Sequence, residues 1–208
     1  MNIVFLGPPG AGKGTMASRI EKQKNIPQIS TGDLFRAAIK NETALGKKVK
    51  NILDSGELVP DELTVQIVKE RFEKDDAKKG FILDGFPRTI PQAEALSRIT
   101  EINAVINFVI PDEEVIKRLS GRRICPKCGW IYHINTLKPK IEGICDKDGS
   151  ELIQRKDDNI ESISNRLSVY KRQTEPLISF YKNKGLLIDI DATAGVEEML
   201  YDTLKKLS

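Results

Sequence analysis

Histidine, tryptophan and cysteine are scarce in this sequence, which has one histidine, one tryptophan and three cysteines among 208 residues. An odd number of cysteines, all between Cys125 and Cys145, excludes complete pairing into disulfides and favours a metal site. No histidine, cysteine or hydroxyl lies in a pattern typical of a nucleophile with its base. Covalent catalysis is therefore not expected.

Long apolar runs are also absent. No segment approaches the roughly 18–20 apolar residues that span a bilayer, and the N-terminus lacks the charged and apolar regions of a secretory signal. The net charge of +3 is too small by itself to indicate a nucleic-acid or membrane partner. We therefore expect a cytoplasmic protein that associates with neither a membrane nor nucleic acid.

The remaining composition, with 39% apolar and 30% charged residues, is typical of a globular protein of one domain with insertions. Apolar runs that favour β-strands alternate along the chain with helical patterns. This order predicts an α/β fold with a five-stranded parallel sheet and helices on both of its faces. The predicted strands are 2–6, 28–30, 80–84, 104–110 and 186–190.

Two segments interrupt this alternation and divide the chain into three parts. The predicted core comprises 1–29, 60–120 and 159–208, the first insertion is 30–59, and the second insertion is 121–158. Ligands of parallel α/β sheets gather at the carboxyl ends of the strands. We therefore expect both insertions to overhang that edge as mobile covers.

The first predicted strand runs into a glycine-rich loop, GPPGAGKGT, at 7–15. Glycines allow a tight turn that points successive N–H groups inward, and the following helix start adds partial positive charge. Lys13 adds a full charge, so the loop is suited to bind phosphate. Thr15 offers a hydroxyl to the Mg²⁺ that accompanies a nucleoside triphosphate, one position later than in the commonest spacing. The candidate phosphate-binding residues are Gly10, Ala11, Gly12, Lys13, Gly14 and Thr15.

The predicted strand 80–84 ends in Asp84, at the same edge of the sheet as the loop. Such a carboxylate can hold Mg²⁺ directly or through water, and the alternative is that it caps the next turn. A proline turn then places Arg88 just beyond the strand, and Gln92 follows one helical turn later. Arg36, near the start of an earlier helix, is either a surface residue or a second anion ligand.

Two short turns in the second insertion share one spacing. Cys125 and Cys128 form C-x₂-C, and Cys145 and Asp148 form C-x₂-D. Three thiolates and a carboxylate suit a closed tetrahedral zinc site, which would supply folding free energy to a segment with little apolar core. The alternatives are an accidental spacing of surface cysteines, or His133 as a rival ligand outside both turns.

In order and spacing, GPPGAGKGT, STGDLFR, ELV and DGFPRTIPQAE resemble the motifs of the adenylate kinase family. The late threonine of the phosphate loop is that family's own pattern, and the resemblance covers nearly all 208 residues. The second insertion resembles the zinc-bearing lid of adenylate kinases from many Gram-positive and related bacteria. The resemblance implies a P-loop kinase fold and reversible, in-line phosphoryl transfer from MgATP to AMP, giving ADP.

For ATP, the resemblance implies binding between the phosphate loop and the lid. Mg²⁺ would be held by Thr15 and, through water, by Asp84, while Arg118 would stack on the adenine. The further ATP-binding residues would be Arg122, Ile131, Tyr132 and Ala194, the last through its main chain only. The catalytic cations would be Lys13, Arg88, Arg122, Arg155 and Arg166, and the resemblance also implies that Asp157 and Asp158 anchor the closed lid.

For AMP, the resemblance implies a site beneath the first insertion, in which Gln92 recognises the adenine edge. The full set would be Thr31, Arg36, Glu57, Leu58, Val59, Gly85, Phe86, Pro87, Arg88, Gln92, Arg155 and Arg166.

Two rival functions stay open at this point. Another nucleoside monophosphate kinase, specific for CMP, UMP or GMP, would share the loop and the arginines, although Thr31 and Gln92 favour AMP. A zinc-ribbon ATPase that binds nucleic acid would need a basic stripe, whereas the second insertion intersperses acidic residues among its basic ones. We expect a monomer whose partners are ATP, AMP and ADP.

Overall fold

A five-stranded parallel sheet forms the centre of the computed structural model, which describes residues 1–207. The strands of the chain are β1 (Asn2–Leu6), β2 (Gln28–Ser30), β3 (Phe81–Asp84), β4 (Ala104–Val109), β5 (Arg122–Ile124), β6 (Ile131–His133) and β7 (Leu187–Asp191). The central sheet has the order β2-β3-β1-β4-β7, and all of its pairings are parallel. The predicted strands are therefore confirmed to within one residue at each end.

Helices cover both faces of this sheet, as the sequence predicts. They are α1 (Lys13–Lys24), α2 (Thr31–Lys40), α3 (Ala44–Asp54), α4 (Asp61–Phe72), α5 (Ile90–Ile99), α6 (Asp112–Ser120), α7 (Ile160–Val169), α8 (Pro176–Asn183) and α9 (Val196–Lys206). Strand β1 shows how the chain divides its apolar residues, because Ile3 and Phe5 face the helices α1, α6, α7 and α9. Val4 and Leu6 point to the other face, where they join the cluster that includes α4, α5 and α8.

The helix around Pro176 continues further than the sequence suggests. Proline predicts a new helix start, because its missing N–H is tolerated only in a first turn. In the structure α8 does begin at Pro176, and α7 leads into it through a π-helical turn at Tyr170–Thr174. The N–H of Glu175 donates to the carbonyl of Tyr170 at 2.9 Å, so the wider turn accommodates the proline without a break.

The first insertion is a helical hairpin of α2 and α3 with a small apolar core of its own, built on Phe35, Val49 and Val59. The two helices cross closely at Gly46, where a β-carbon would lie 2.1 Å from the carbonyl oxygen of Ala38. The hairpin also contacts α7, since the Asn165 amide donates to the carbonyl of Ser55 at 2.7 Å. Because α2 begins directly after β2, the hairpin starts at the carboxyl end of that strand.

Substituting Gly46→Ala is expected to lower the free energy of unfolding by about 3 kcal/mol, because the added methyl forces the hairpin apart. Chemical denaturation followed by circular dichroism measures this loss. Gly195→Ala is the control, since a β-carbon there meets no atom within 4 Å, and a change under about 1 kcal/mol is expected. Equal stability of the Gly46→Ala and Gly195→Ala proteins would contradict the close helix crossing.

The second insertion contains the antiparallel pair β5 and β6 and the two cysteine turns. Its interior is small, and consists of Cys125, Tyr132 and Cys145 with Leu152 packed against them. An isolated bridge joins Ile124 to the returning chain at Ile153. Within residues 1–207, no helix combines the length and apolar character needed to cross a membrane.

Candidate functional site

The glycine-rich loop lies at the carboxyl end of β1 and wraps around the side chain of Lys13. Its backbone has positive φ at Gly7 (129°), Gly10 (80°) and Gly12 (92°), which other residues adopt only with strain. At Gly7 a β-carbon would also lie 2.7 Å from the carbonyl oxygen of Phe108. The Lys13 ammonium donates to the carbonyl oxygens of Gly7 (2.6 Å) and Pro8 (2.7 Å), so it is held above the loop.

Burial lowers the pKa of Lys13 to about 8, and Asp84 partly opposes this effect. The charges of Arg88, Arg166 and Arg122 lower the pKa further, so these arginines lie within electrostatic range of the loop. Lys13 therefore remains largely protonated at pH 7. The site collects positive charge that the protein itself does not neutralise.

Asp84 ends β3 next to the loop, and its carboxylate would lie 3.5 Å from a β-carbon built at Gly14. The side-chain amide of Gln28 approaches the same carboxylate at 3.4 Å. Burial raises the pKa of Asp84, while Lys13 and Arg88 favour its ionised form. Thr15 lies in the first turn of α1, half-buried. A hydroxyl and a carboxylate beside a phosphate loop are the oxygen ligands that suit Mg²⁺.

Arg88 follows β3 and is fixed through three of its atoms. Its Nε donates to the carbonyl of Gly85 at 2.9 Å, and its backbone N–H donates to Oε1 of Gln92 at 2.8 Å. The hydroxyl of Thr174 donates to its carbonyl at 2.9 Å. Burial, followed by the charge of Arg166, lowers the pKa of Arg88 to about 10. The guanidinium is thus charged at neutral pH and confined to one place.

The end of β3 also joins the first insertion. The hydroxyl of Thr31 donates to the carbonyl of Gly85 at 2.8 Å, which connects the start of α2 to the Arg88 turn. Arg36, one turn into α2, pairs with Asp33 at 2.6 Å, and its side chain is 38% exposed. An arginine in such a surface pair can exchange its partner for a phosphate at little cost.

Two aspartates at the end of the second insertion hold two of the predicted arginines. Arg122 pairs through Nε and Nη2 with the carboxylate of Asp158, whose side chain is fully buried. Arg166 contacts the carboxylate of Asp157 at 3.0 Å and that of Asp158 at 3.3 Å. Both pairs lie at the base of the second insertion, so these contacts set the position of two cations there.

Arg155 has no such partner. Its Nε is buried and makes no hydrogen bond within the described part of the chain. Burial lowers the pKa of Arg155 to about 10, and the nearby charges of Arg36 and Arg122 lower it further. A buried donor without an acceptor is costly, and three arginines crowd together here. The arrangement is suited to an anion that accepts hydrogen bonds from them.

The four predicted metal ligands of the second insertion lie together, with all candidate ligand atoms within 4.8 Å of one another. The sulfurs of Cys128 and Cys145 are 3.6 Å apart, and Asp148 approaches the sulfur of Cys125 at 3.3 Å. Zinc–sulfur bonds of about 2.3 Å in a tetrahedron require sulfur atoms about 3.8 Å apart, so the donor set fits zinc in number, type and spacing. His133 lies outside the group, because its Nδ1 accepts from the backbone N–H of Asn135 at 3.1 Å.

The other predicted site residues lie on several different elements of the fold. Arg118 is on α6, where its Nε donates to Glu114 at 3.2 Å. Ile131 is half-buried on β6, whereas the ring of Tyr132 points into the cysteine cluster and its hydroxyl accepts from the N–H of Asp146 at 2.8 Å. A contact of Tyr132 with ATP would therefore involve its backbone. Glu57, Leu58 and Val59 lie between α3 and α4, and Ala194 lies between β7 and α9.

Sequence reasoning missed two partners of these residues, Thr174 and Asp61. An aspartate at the start of a helix predicts an N-cap, but Pro60 holds the cap position of α4 and no side chain caps this helix. The Asp61 carboxylate instead accepts from Gln92 Nε2 at 2.7 Å and from the hydroxyl of Thr89 at 3.0 Å. No local pattern signals a pairing across 31 residues.

Comparison with known proteins agrees with this arrangement. A sequence model of the adenylate kinase family matches residues 5–186. The chain is 61% identical over 200 residues to an adenylate kinase of Treponema denticola, which covers 96% of each protein. It is 58% identical over 209 residues to an adenylate kinase of Staphylococcus epidermidis, covering 98% of this chain and 97% of that protein. A Staphylococcus aureus adenylate kinase is 57% identical with the same coverage. The phosphate loop, the arginines around it and these matches together show that the chain belongs to the adenylate kinase family.

Proposed function

We propose that this enzyme transfers the terminal phosphoryl group of MgATP directly to AMP, reversibly, and that both products are ADP. The observation that carries the proposed mechanism is the convergence of Lys13 and half-buried arginines, among which Arg155 Nε has no hydrogen-bond acceptor in the described chain. The acceptor phosphate of AMP is already an anion and needs no general base. Catalysis then consists of holding two anions in line and stabilising the charge that is transferred.

On the ATP side, the backbone N–H groups of 10–15 hold the β- and γ-phosphates, and Lys13 lies between them. Arg122 reaches the transferring group from the base of the lid, and its pairing with Asp158 orients the guanidinium. Arg118 is free to leave Glu114 and stack on the adenine, since both side chains are partly exposed. Ile131, Tyr132 and Ala194 contribute backbone and apolar contacts to the nucleoside.

Thr15 and Asp84 would hold Mg²⁺, Asp84 through water. When bound, the ion neutralises the oxygens of the two terminal phosphates. Burial raises the pKa of Asp84, and Lys13 and Arg88 partly offset this effect. These two cations therefore help to keep the carboxylate ionised for the metal.

On the AMP side, Arg36 and Arg88 hold the acceptor phosphate, and Arg155 and Arg166 lie between the two nucleotides. Arg36 must exchange Asp33 for the phosphate, and its exposure makes this exchange inexpensive. Thr31, Gln92 and the segments 57–59 and 85–88 surround the nucleoside. Gln92 recognises the adenine edge.

We further propose that the three-part division is functional, with 30–59 and 121–158 closing over the core 1–29, 60–120 and 159–208. Some of the hydrogen bonds that join the first insertion to the core are exposed to solvent, such as that from Asn165 to Ser55, and these can open locally. Closure would exclude water that could otherwise accept the phosphoryl group. The site is completed within one chain, which supports a monomer, and reduced cysteines ready for a metal fit a cytoplasmic enzyme.

Substrate competition tests the proposed activity. ADP formation from MgATP is measured with AMP, GMP, CMP and UMP in turn, at equal concentrations. AMP should give turnover at least about a hundredfold above the others, because its hydrogen-bonding edge matches Gln92. A preference for another monophosphate would overturn the assignment of Gln92 and Thr31 while keeping the phosphate chemistry.

We also propose that Cys125, Cys128, Cys145 and Asp148 bind a structural zinc ion. The ion would hold together a lid whose own core is only a few side chains. Its removal should lower the melting temperature by at least about 5 °C. Activity at 25 °C should fall by less than about twofold, because the cluster does not include the arginines.

The measurement is thermal unfolding with and without a zinc-selective chelator, with excess Mg²⁺ restored before the activity assay. Cys145→Ser is the matched variant, which should unfold early and show no further response to chelator. Identical melting curves for the untreated and chelated enzyme would contradict a structural zinc site.

A further inference from the structure

The side-chain amide of Gln92 is held at both ends. The backbone N–H of Arg88 donates to its Oε1 at 2.8 Å, and its Nε2 donates to the Asp61 carboxylate at 2.7 Å. Gln92 is 1% exposed and both bonds are partly buried, so water has little access to the amide. The same carboxylate accepts from the hydroxyl of Thr89, which keeps Asp61 in place.

These two partners permit only one orientation of the amide. A backbone N–H can only donate and a carboxylate can only accept, so the oxygen must face Arg88 and the nitrogen must face Asp61. If the amide turned over, two donors would face each other at Arg88 and two acceptors would face each other at Asp61. Because the Gln92 amide is buried, both the donor–donor pair and the acceptor–acceptor pair would cost free energy.

The fixed amide keeps one N–H and one oxygen lone pair for a ligand. Adenine presents an acceptor at N1 beside a donor at its 6-amino group, which matches this pair. A 6-oxopurine presents a donor at N1 and an acceptor at O6, which requires the amide in the opposite orientation. The direction in which Gln92 points therefore decides between these two classes of base.

We propose that Asp61 is a positioning residue for base specificity, which holds the Gln92 amide in the orientation that accepts a 6-aminopurine and rejects a 6-oxopurine. This inference rests on the proposed role of Gln92 at the AMP site. In this proposal Asp61 contacts no nucleotide and acts on the base through Gln92, while Thr89 holds the Asp61 carboxylate in place. It also connects the start of α4, just after the first insertion, to the turn that carries Arg88.

Asp61→Asn tests the proposal, because asparagine keeps the shape but can offer either a donor or an acceptor to Gln92. The values of kcat and KM are measured for AMP and for IMP, its 6-oxo analogue. We expect kcat/KM for AMP to fall about tenfold, chiefly because KM rises. The ratio of kcat/KM for AMP to kcat/KM for IMP should fall by at least the same factor. A purely structural defect would lower kcat/KM by the same factor for AMP and for IMP, so the ratio of the two values would not change.

Two controls isolate the path through Gln92. Glu62→Gln removes a neighbouring exposed carboxylate from the same helical turn, and should leave the ratio as it is. In a Gln92→Ala background, adding Asp61→Asn should change neither KM nor the ratio, since the amide that it positions is gone. If Asp61→Asn does not fold, Asp61→Ala carries the same expectation, because it also removes the acceptor.

The outcomes separate this inference from the function on which it rests. If Gln92→Ala raises KM for AMP but Asp61→Asn and Asp61→Ala leave the ratio unchanged, Asp61 has no positioning role. If Gln92→Ala itself leaves KM for AMP unchanged, the AMP-site assignment fails first, and the inference fails with it.

Discussion

Replacing Lys13 with methionine is expected to lower kcat by about three orders of magnitude without unfolding the enzyme. The ammonium lies above the phosphate loop on two carbonyl oxygens, those of Gly7 and Pro8. From there it can follow the charge that moves to the bridging oxygen as the phosphoryl group leaves ATP. Removing one group that stabilises developing charge in a preorganised site costs about 10²–10³ in rate, and a full charge on a transferring phosphoryl group is at the upper end.

Steady-state kinetics at saturating MgATP and AMP measures this loss, with melting curves to show that the fold is retained. Lys22→Met is the matched control, because Lys22 is exposed on the same helix and faces away from the loop. Its kcat should stay within a factor of about two. A Lys13→Met enzyme that keeps a tenth of the original kcat would refute the role given to Lys13.

The pKa of Lys13 gives the same assignment a second check. Burial lowers this pKa to about 8 in the ligand-free protein, so the ammonium loses its proton as the pH rises through 8. A neutral amine does not attract phosphate, and kcat/KM for MgATP, which reports on the free enzyme, should therefore fall above pH 8. Lys13→Arg, whose side chain stays charged, should lack this decline even if its kcat is low.

Much of the fold and of the phosphate site could be predicted because the signals are local. The glycine-rich loop predicts a tight turn with positive φ, and the structure has positive φ at Gly7, Gly10 and Gly12. Apolar runs that end in a polar residue locate strand ends such as that of β3 at Asp84. Parallel strands then bring those ends to one edge without further information.

Side-chain contacts between residues far apart in the sequence could not be predicted in this way. Arg122 and Asp158 are 36 residues apart, and Gln92 and Asp61 are 31 apart. Their meeting depends on how two insertions fold back onto the core, which no periodicity encodes. The π-helical turn before Pro176 escaped prediction for a related reason, since packing of both helices on the core outweighs the local preference for a break.

Arg88→Ala is the second substitution for which a large loss is expected, about two to three orders of magnitude in kcat. Its guanidinium is held by the carbonyl of Gly85 and lies within electrostatic range of Arg166. In the proposed mechanism Arg88 lies between the AMP phosphate and the transferring group, where it would align the attacking oxygen. Arg88→Lys should recover only a small part of the rate, because an ammonium cannot form two parallel hydrogen bonds with a phosphate.

Stability should move in the opposite direction from activity. Burial and Arg166 lower the pKa of Arg88 to about 10, which means that the folded protein holds this charge at a cost below that pH. Removing it should leave the melting temperature unchanged or raise it. Arg172→Ala, at an exposed arginine outside the site, should change neither kcat nor melting temperature. If Arg88→Ala instead lost activity only in proportion to a loss of folded protein, Arg88 would be a structural residue and the alignment of the acceptor phosphate would have to come from Arg36 alone.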